Sequence, residues 1–196
     1  MAAKTALVLL DLQQGIIPMV GDADPSVYLE RVAATAQKAR EAGVQVIHVN
    51  TFFRKGFPDL SARNKFMAPI VAMVGDSGQF TEGDASTEFH PIVAPPPGTK
   101  DVVVTKKRTS AFTGSDFEVV LRSFGIETLA LAGVATSGAV LSTVRQAGDL
   151  DYGLVVLEDL CRDWDEEVHR VLTQKVFERQ ADVLSSTEWL ESLKQQ

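Results

Sequence analysis

Residues 128–147 read TLALAGVATSGAVLSTVRQA, and this stretch determines the fold expected for the chain. Its first part, Thr128 to Ala132, is a short, mostly apolar run of the kind that forms a strand covered on both faces. The small residues that follow lead into a helical pattern over Gly138 to Leu150. A buried strand that passes into an amphipathic helix is the repeating unit of parallel α/β sheets. The stretch therefore predicts one strand–helix unit of such a sheet.

Five more runs repeat this strand pattern along the chain. They cover residues 6–10, 44–49, 102–104 and 154–157, with a weaker run at 181–184. Amphipathic helical patterns separate most of them. The alternation predicts an open parallel α/β sheet with right-handed crossovers.

Local signals predict where several helices begin and end. Asp24 and Pro25 read as an N-cap and a first-turn proline. Ser115 to Glu118 reads as a capping box, with Gly125 as the end of the same helix. Thr187 is the candidate cap of the last helix.

The stretch from Thr51 to Lys100 interrupts the alternation. It holds most of the eight prolines, and its apolar positions show weak periodicity. Long loops in compact domains are more often functional than idle. We therefore predict a single domain over residues 1–196, with an excursion at about 51–100 that walls the site or forms an oligomer contact. A small α/β chain with such an insertion also predicts a homo-oligomer.

Composition disfavours several classes of function. The net charge of −7 argues against nucleic-acid and anionic-membrane surfaces, which need a basic face. No apolar run approaches the roughly 20 residues that span a bilayer. The single cysteine, Cys161, rules out an intrachain disulfide and fits a reducing compartment. We predict a cytoplasmic protein that acts on a small molecule, without nucleic-acid or membrane partners.

Polar residues follow the predicted strands at the edge where ligands bind in open α/β sheets. Asp11 follows the first strand, Asn50 and Thr51 the second, Lys106 the third, and Glu158 and Asp159 the fifth. Facing one crevice, Asp11 and Lys106 could pair and share proton transfer. Taken singly, Asp11 is more readily explained as a structural strand-end carboxylate, and Lys106 as a solvated lysine.

The segment from Gly133 to Ala139 is predicted to be a tight strand-to-helix turn. Its backbone N–H groups and the start of the next helix would form an anion-binding concavity. A plain tight connection also uses glycine and serine, so the residues alone leave both interpretations open. Turns of this type are known to hold a nucleophile at a helix start.

Four segments together resemble the isochorismatase-like hydrolase family, which includes isochorismatases, nicotinamidases and N-carbamoylsarcosine amidohydrolases. They are VLLDLQQGI from residue 8, VVTKKRTSAF from 103, LAGVATSGAVLSTVRQA from 131 and YGLVVLEDLCRD from 152. The resemblance covers nearly the whole chain and is weakest across residues 51–100 and the final helix. It implies a six-stranded parallel sheet flanked by helices on both faces, in a three-layer arrangement of the Rossmann type.

The resemblance also implies a catalytic triad of aspartate, lysine and cysteine. Asp11 matches the aspartate that accepts the thiol proton. Lys106 matches the lysine, six residues before Phe112 in a Lys-x-Arg-x-Ser-Ala-Phe pattern. The cysteine position, in the first turn of the helix after Gly138, is occupied by Ala139. A cis peptide between Val134 and Ala135 is implied too, with the N–H groups of residues 135 and 139 as an oxyanion hole.

Ala139 removes the covalent mechanism, because its methyl group cannot attack a carbonyl. Three explanations stay open: a member that works without a thiol, a substitution introduced into an active enzyme, or an inactive member that binds its ligand. In the first, Asp11 would protonate a vinyl ether directly as a general acid. We predict a hydrolase of an amide, imide or vinyl-ether bond, with ligand binding without turnover as the alternative. Three side chains are weak substitutes for the thiol: Ser137, Ser142 and Cys161.

No cofactor or catalytic metal is predicted. Nicotinamidases carry an aspartate and two histidines after the second strand, where this chain reads VNTFFRKGFPDL and has no histidine. The three histidines are scattered at positions 48, 90 and 169. Phe53 and Phe112 are the aromatic candidates for lining the substrate pocket.

Overall fold

A computed structural model describes residues 4–20 and 24–194. In chain order, the strands are β1 (Thr5–Leu10), β2 (Gln45–Thr51), β3 (Val102–Lys106), β4 (Thr128–Val134), β5 (Gly153–Arg162) and β6 (Asp182–Leu184). The α-helices are α1 (Ser26–Glu41), α2 (Ala68–Val74), α3 (Phe117–Phe124), α4 (Leu141–Asp149), α5 (Glu166–Val171) and α6 (Ser186–Leu193).

The six strands form one parallel sheet in the order β3-β2-β1-β4-β5-β6. The direction of strand order reverses between β1 and β4, which is the point where open α/β sheets bind ligands. The predicted open six-stranded parallel sheet is confirmed.

The sheet is apolar on both faces, as the unbroken apolar runs indicated. Along β1, Ala6, Val8 and Leu10 enter one core, whereas Leu7 and Leu9 enter the other. Successive strand residues point to opposite faces, so a strand covered on both sides must be apolar throughout.

Helices cover each face and complete the three layers. Phe117 and Leu121 of α3 and Val144 of α4 pack into the first core. Leu29 of α1 and Trp189 of α6 pack into the second. Among the described residues, no helix has the length and apolar character needed to cross a membrane.

Two predicted helix caps are wrong in detail. The Ser115 hydroxyl donates to the carbonyl of Ala111 and accepts from the N–H of Phe117, so it forms a local turn instead of a capping box. The last helix is capped two residues earlier than predicted, by Ser185 in a capping box with Glu188. Gly125 ends α3 in the left-handed conformation, as predicted.

The fifth strand is longer than its apolar run. It continues to Arg162, so Glu158 and Asp159 lie within the strand and not just past it. The register between β4 and β5 shifts between Leu131 and Gly133, and pairing resumes at Gly133 and Cys161. The short apolar run could not reveal this because the irregular register belongs to the pairing of two strands.

Gly133 allows β1 and β4 to approach closely at the edge of the sheet. Its φ angle is +122°, and a Cβ at this position would lie 2.1 Å from the carbonyl oxygen of Leu10. Only glycine fits such a contact. The peptide bond between Val134 and Ala135, one residue further along the chain, is cis.

Candidate active site

A cavity of about 410 Å³ opens at the carboxyl edge of the sheet, beside the strand reversal. The sheet contributes Asp11, Thr51 and Lys106 to its lining, and the turn after β4 contributes Ala135 and Ala139. Cavities of this size hold small molecules. The structure thus brings Asp11, Lys106, Ala135 and Ala139 together, as the sequence predicted for one crevice.

Asp11 and Lys106 form a buried ion pair. Oδ2 of Asp11 lies 2.8 Å from Nζ of Lys106, and the two residues are 7% and 1% exposed. Asp11 follows β1 with a φ angle of +53°, a conformation that aspartate tolerates better than most residues. Lys106 is the last residue of β3. The strand ends therefore place both groups at the same edge, two strands apart.

Burial raises the pKa of the Asp11 carboxyl above its ordinary value. The charge of Lys106 and hydrogen bonds from Lys106 and Thr51 oppose that rise. Desolvation penalises the charged form of an acid, whereas a nearby cation favours it. A carboxyl with its pKa raised by burial and opposed by a neighbouring cation can exchange a proton with a bound substrate or water.

Thr51 belongs to this polar group, although its role was not predicted. Its hydroxyl donates to Oδ1 of Asp11 at 3.2 Å and accepts a short hydrogen bond from Nζ of Lys106. Gln13 holds Thr51 in place: its Nε2 donates to the Thr51 carbonyl at 2.9 Å and its Oε1 accepts from the Thr51 N–H at 2.7 Å. The only sequence signal was that Thr51 follows an apolar strand.

The turn after β4 presents small residues to the cavity. Residues 136–140 form one π-helical turn that leads into α4. The Ser137 N–H at its start donates to Oδ2 of Asp163 at 2.6 Å, while Gly138 and Val140 donate to the Ala135 carbonyl. Among the described residues, nothing accepts a hydrogen bond from the Ala135 N–H. Ala135 itself lines the cavity.

Phe53 lines the cavity as predicted, but Phe112 does not. Phe112 packs against the first core, with its ring 4.9 Å from Phe117 and 6.0 Å from Tyr152. The motif that carries Lys106 turns away from the strand before it reaches residue 112. The Phe112 ring consequently faces the helical layer, and its proposed part in substrate binding is corrected.

The predicted excursion walls the site. Phe66, Met67, Ile70 and Phe80 line the cavity, and Met67 and Phe80 belong with Phe53 to a small apolar cluster of their own. The weak hydrophobic periodicity of the 51–100 segment did not indicate that these residues line a cavity. Their positions depend on contacts made within a long loop.

None of the substitute nucleophiles lines the cavity. Burial raises the pKa of the Cys161 thiol to about 12, and its Sγ contacts the Leu131 carbonyl at 3.9 Å. A thiol with such a pKa stays protonated at neutral pH and is unreactive. Ser137 and Ser142 are likewise absent from the lining.

In the described part of the chain, the histidines do not come together as a metal site. His48 is buried in β2 and lies 2.8 Å from Asp101, and His169 lies 2.8 Å from the Thr136 hydroxyl. Across residues 4–20 and 24–194, no three His, Cys, Asp or Glu side chains are grouped as metal ligands.

The fold and the cavity define a parallel α/β protein with buried polar residues at the strand ends. The isochorismatase domain model matches residues 5–188, and the chain therefore belongs to the isochorismatase family of hydrolases. The resemblance drawn from the four motifs is confirmed.

Similar proteins support the same assignment. The isochorismatase family protein YecD of Escherichia coli is 33% identical over 195 residues, covering 98% of this chain and 97% of its own. The ureidoacrylate amidohydrolase RutB of Azorhizobium caulinodans is 31% identical over 174 residues, covering 80% of this chain and 75% of its own. The structure of an isochorismatase family protein from Burkholderia thailandensis superposes with a TM-score of 0.84, at 27% identity over 97% of this chain and 96% of that one.

Proposed function

We propose that this chain hydrolyses the C–N bond of a small amide or imide, with water in place of the thiol and Asp11 as the proton-transfer residue. The observation that carries the proposal is the buried Asp11–Lys106 pair in a cavity that Ala135 also lines, whose N–H has no acceptor among the described residues. A relative at 31% identity is named an amidohydrolase, which supports the same bond class.

The proposed reaction takes place in the cavity that Asp11 and Ala139 both line. The Asp11 carboxylate removes a proton from a water molecule as the water oxygen attacks the carbonyl carbon. The Ala135 N–H and the N–H of residue 139 stabilise the resulting oxyanion. Collapse of this intermediate breaks the C–N bond, and the proton taken by Asp11 passes to the departing nitrogen. The products are a carboxylic acid and, from an amide, an amine or ammonia; an imide gives a carboxylic acid and an amide.

The Ala135 N–H favours an amide over a vinyl ether as substrate. Carbonyl addition places negative charge on an oxygen, which a free backbone donor stabilises. Protonation of a vinyl ether places positive charge on carbon and gains nothing from such a donor. The geometry therefore supports C–N hydrolysis better than ether cleavage.

Ala139 also supports one other function, ligand binding without turnover. The two functions are separated by incubating the protein with a panel of neutral and anionic amides, imides and vinyl ethers, and measuring amine or acid release. We expect turnover of at least one amide, reduced about 100-fold or more in Lys106→Met, the lower end of general acid–base effects. Lys107→Met is the matched control, because Lys107 donates to the Phe52 carbonyl and does not line the cavity. Tight binding without release of product by the unaltered protein would establish the binding function instead.

Thr51→Val tests the role of Asp11 through the pH profile. The Thr51 hydroxyl lowers the pKa of Asp11, so its removal raises that pKa further. A general base works when ionised, and its activity rises as pH rises through its pKa. We expect the rising limb of kcat/KM to move to higher pH. At pH values below the pKa of Asp11, kcat/KM should fall about tenfold, which corresponds to the free energy of one hydrogen bond to a charged group. If the falling limb of kcat/KM moves to higher pH instead, Asp11 acts as a general acid, and the proposed reaction is contradicted.

A further inference from the structure

Most of the cavity wall is apolar. Beyond the polar group at the strand ends, the lining includes two methionines, Met19 and Met67, and the rings of Phe53 and Phe80. Met67, Phe53 and Phe80 belong to the apolar cluster of the 51–100 excursion, which faces the sheet edge across the cavity. A substrate whose reactive carbonyl lies near Asp11 must therefore place the rest of its atoms against these side chains.

Among the described residues that line the cavity, Lys106 is the one cation, and the carboxylate of Asp11 already balances its charge. Nζ of Lys106 is held by Asp11 and Thr51, and the residue is 1% exposed. Two cations next to the lining are engaged elsewhere: Lys107 donates to the Phe52 carbonyl, and Arg54 pairs with Asp59. A carboxylate placed against the apolar wall would therefore lose its hydration without gaining a cation.

The other polar side chains of the described lining are neutral. They are Thr51, Thr109 and Trp164, and Trp164 is 57% exposed at the surface. The net charge of −7 adds long-range repulsion of anions. Burying an ionised carboxylate without a partner is far more costly than burying an alkyl group, which is favourable.

We propose that the substrate is an uncharged amide or imide that carries an apolar group, branched aliphatic or aromatic, and has no carboxylate. This inference rests on the proposed function for the reacting bond and adds the chemistry of the remaining part of the substrate. It separates this chain from an enzyme whose substrate is an acid, such as the ureidoacrylate of the RutB relative's name.

A matched pair of ligands tests the inference by binding. Glutaramate and 5-methylhexanamide have the same chain length and carry an amide at one end, with a carboxylate or an isopropyl group of the same branching at the other. We expect calorimetry to show that 5-methylhexanamide binds about 100-fold more tightly than glutaramate at neutral pH. Equal affinities, tighter binding of glutaramate, or no binding of either ligand would overturn the inference.

A pair of variants on one helix places a charge inside or outside the cavity. Ile70 of α2 lines the cavity, whereas Met73 of the same helix is 59% exposed and does not. We expect Ile70→Lys to tighten glutaramate binding at least tenfold and to weaken 5-methylhexanamide binding, because it supplies the missing cation. Met73→Lys should change neither affinity. An Ile70→Lys variant that is folded by circular dichroism and keeps the original preference would contradict the inference.

Binding and turnover distinguish the two proposals. If 5-methylhexanamide binds preferentially but no amide in the panel is hydrolysed, the proposed function fails and the ligand preference stands. If anionic amides are hydrolysed faster than their neutral partners, the ligand preference fails and the hydrolase function stands.

Discussion

Asp11→Asn is expected to reduce kcat/KM by about a thousandfold, within the range measured for general acid–base residues. An amide cannot accept the proton of the attacking water, so the step that forms the new C–O bond loses its base. The substitution also leaves the buried Lys106 ammonium without its counter-ion. Removing one partner of a buried pair typically costs about 3–5 kcal/mol of folding free energy, so stability must be measured alongside activity.

Two variants separate the chemical effect from the loss of stability. Asp11→Asn combined with Lys106→Met removes both charges, and we expect it to recover unfolding free energy in urea without recovering turnover. Asp101→Asn is the matched control, because the Asp101 side chain is also buried and paired, with Arg40 at 2.7 Å, but it lies just before β3 and outside the cavity lining. It should lower stability and leave kcat/KM within a few fold. Full activity of a folded Asp11→Asn variant would end the proposed role of Asp11.

The sheet was predictable because buried parallel strands have an unusually direct sequence signal. A strand covered on both faces is mostly apolar, and β1 and β4 show this over five or more consecutive residues. Parallel strands also end at one edge, so Asp11 and Lys106 could be assigned to the same edge once the strands were recognised. That they pair depends on the strand order β3-β2-β1, which the structure supplies.

The apolar wall was not predictable in the same way. Phe66, Ile70 and Phe80 come from a loop-rich segment in which no repeat relates sequence spacing to direction in space. The place of Phe112 was also missed, since a side chain a few residues past a strand faces either the cavity or a helix according to how the chain turns. The part of Thr51 depends on Gln13, a contact between residues 38 apart in the chain.

Ala139→Cys is expected to convert the site to a covalent amidase. The Ala139 side chain lines the cavity, is 3% exposed and stands at the start of a helix. A nearby lysine and a helix N-terminus both favour a thiolate over a thiol. Losing a covalent nucleophile costs about a millionfold in well-studied hydrolases, so restoring one should raise kcat/KM for a good amide substrate by on the order of a thousandfold or more.

The introduced thiol can be followed without interference if Cys161→Ala is made in the same chain, because Cys161 is the single native cysteine. We expect faster alkylation by iodoacetamide than in the control Ser142→Cys, which places a thiol in α4 away from the cavity lining. Intact mass spectrometry should reveal an acyl adduct during turnover. Adding Asp11→Asn should abolish the gain, since the thiol then loses its proton acceptor. If the introduced thiol reacts no faster than the control and forms no adduct, the strand-end pair and the turn after β4 are not arranged for acyl transfer. In that event the ligand-binding function is the better account of the cavity.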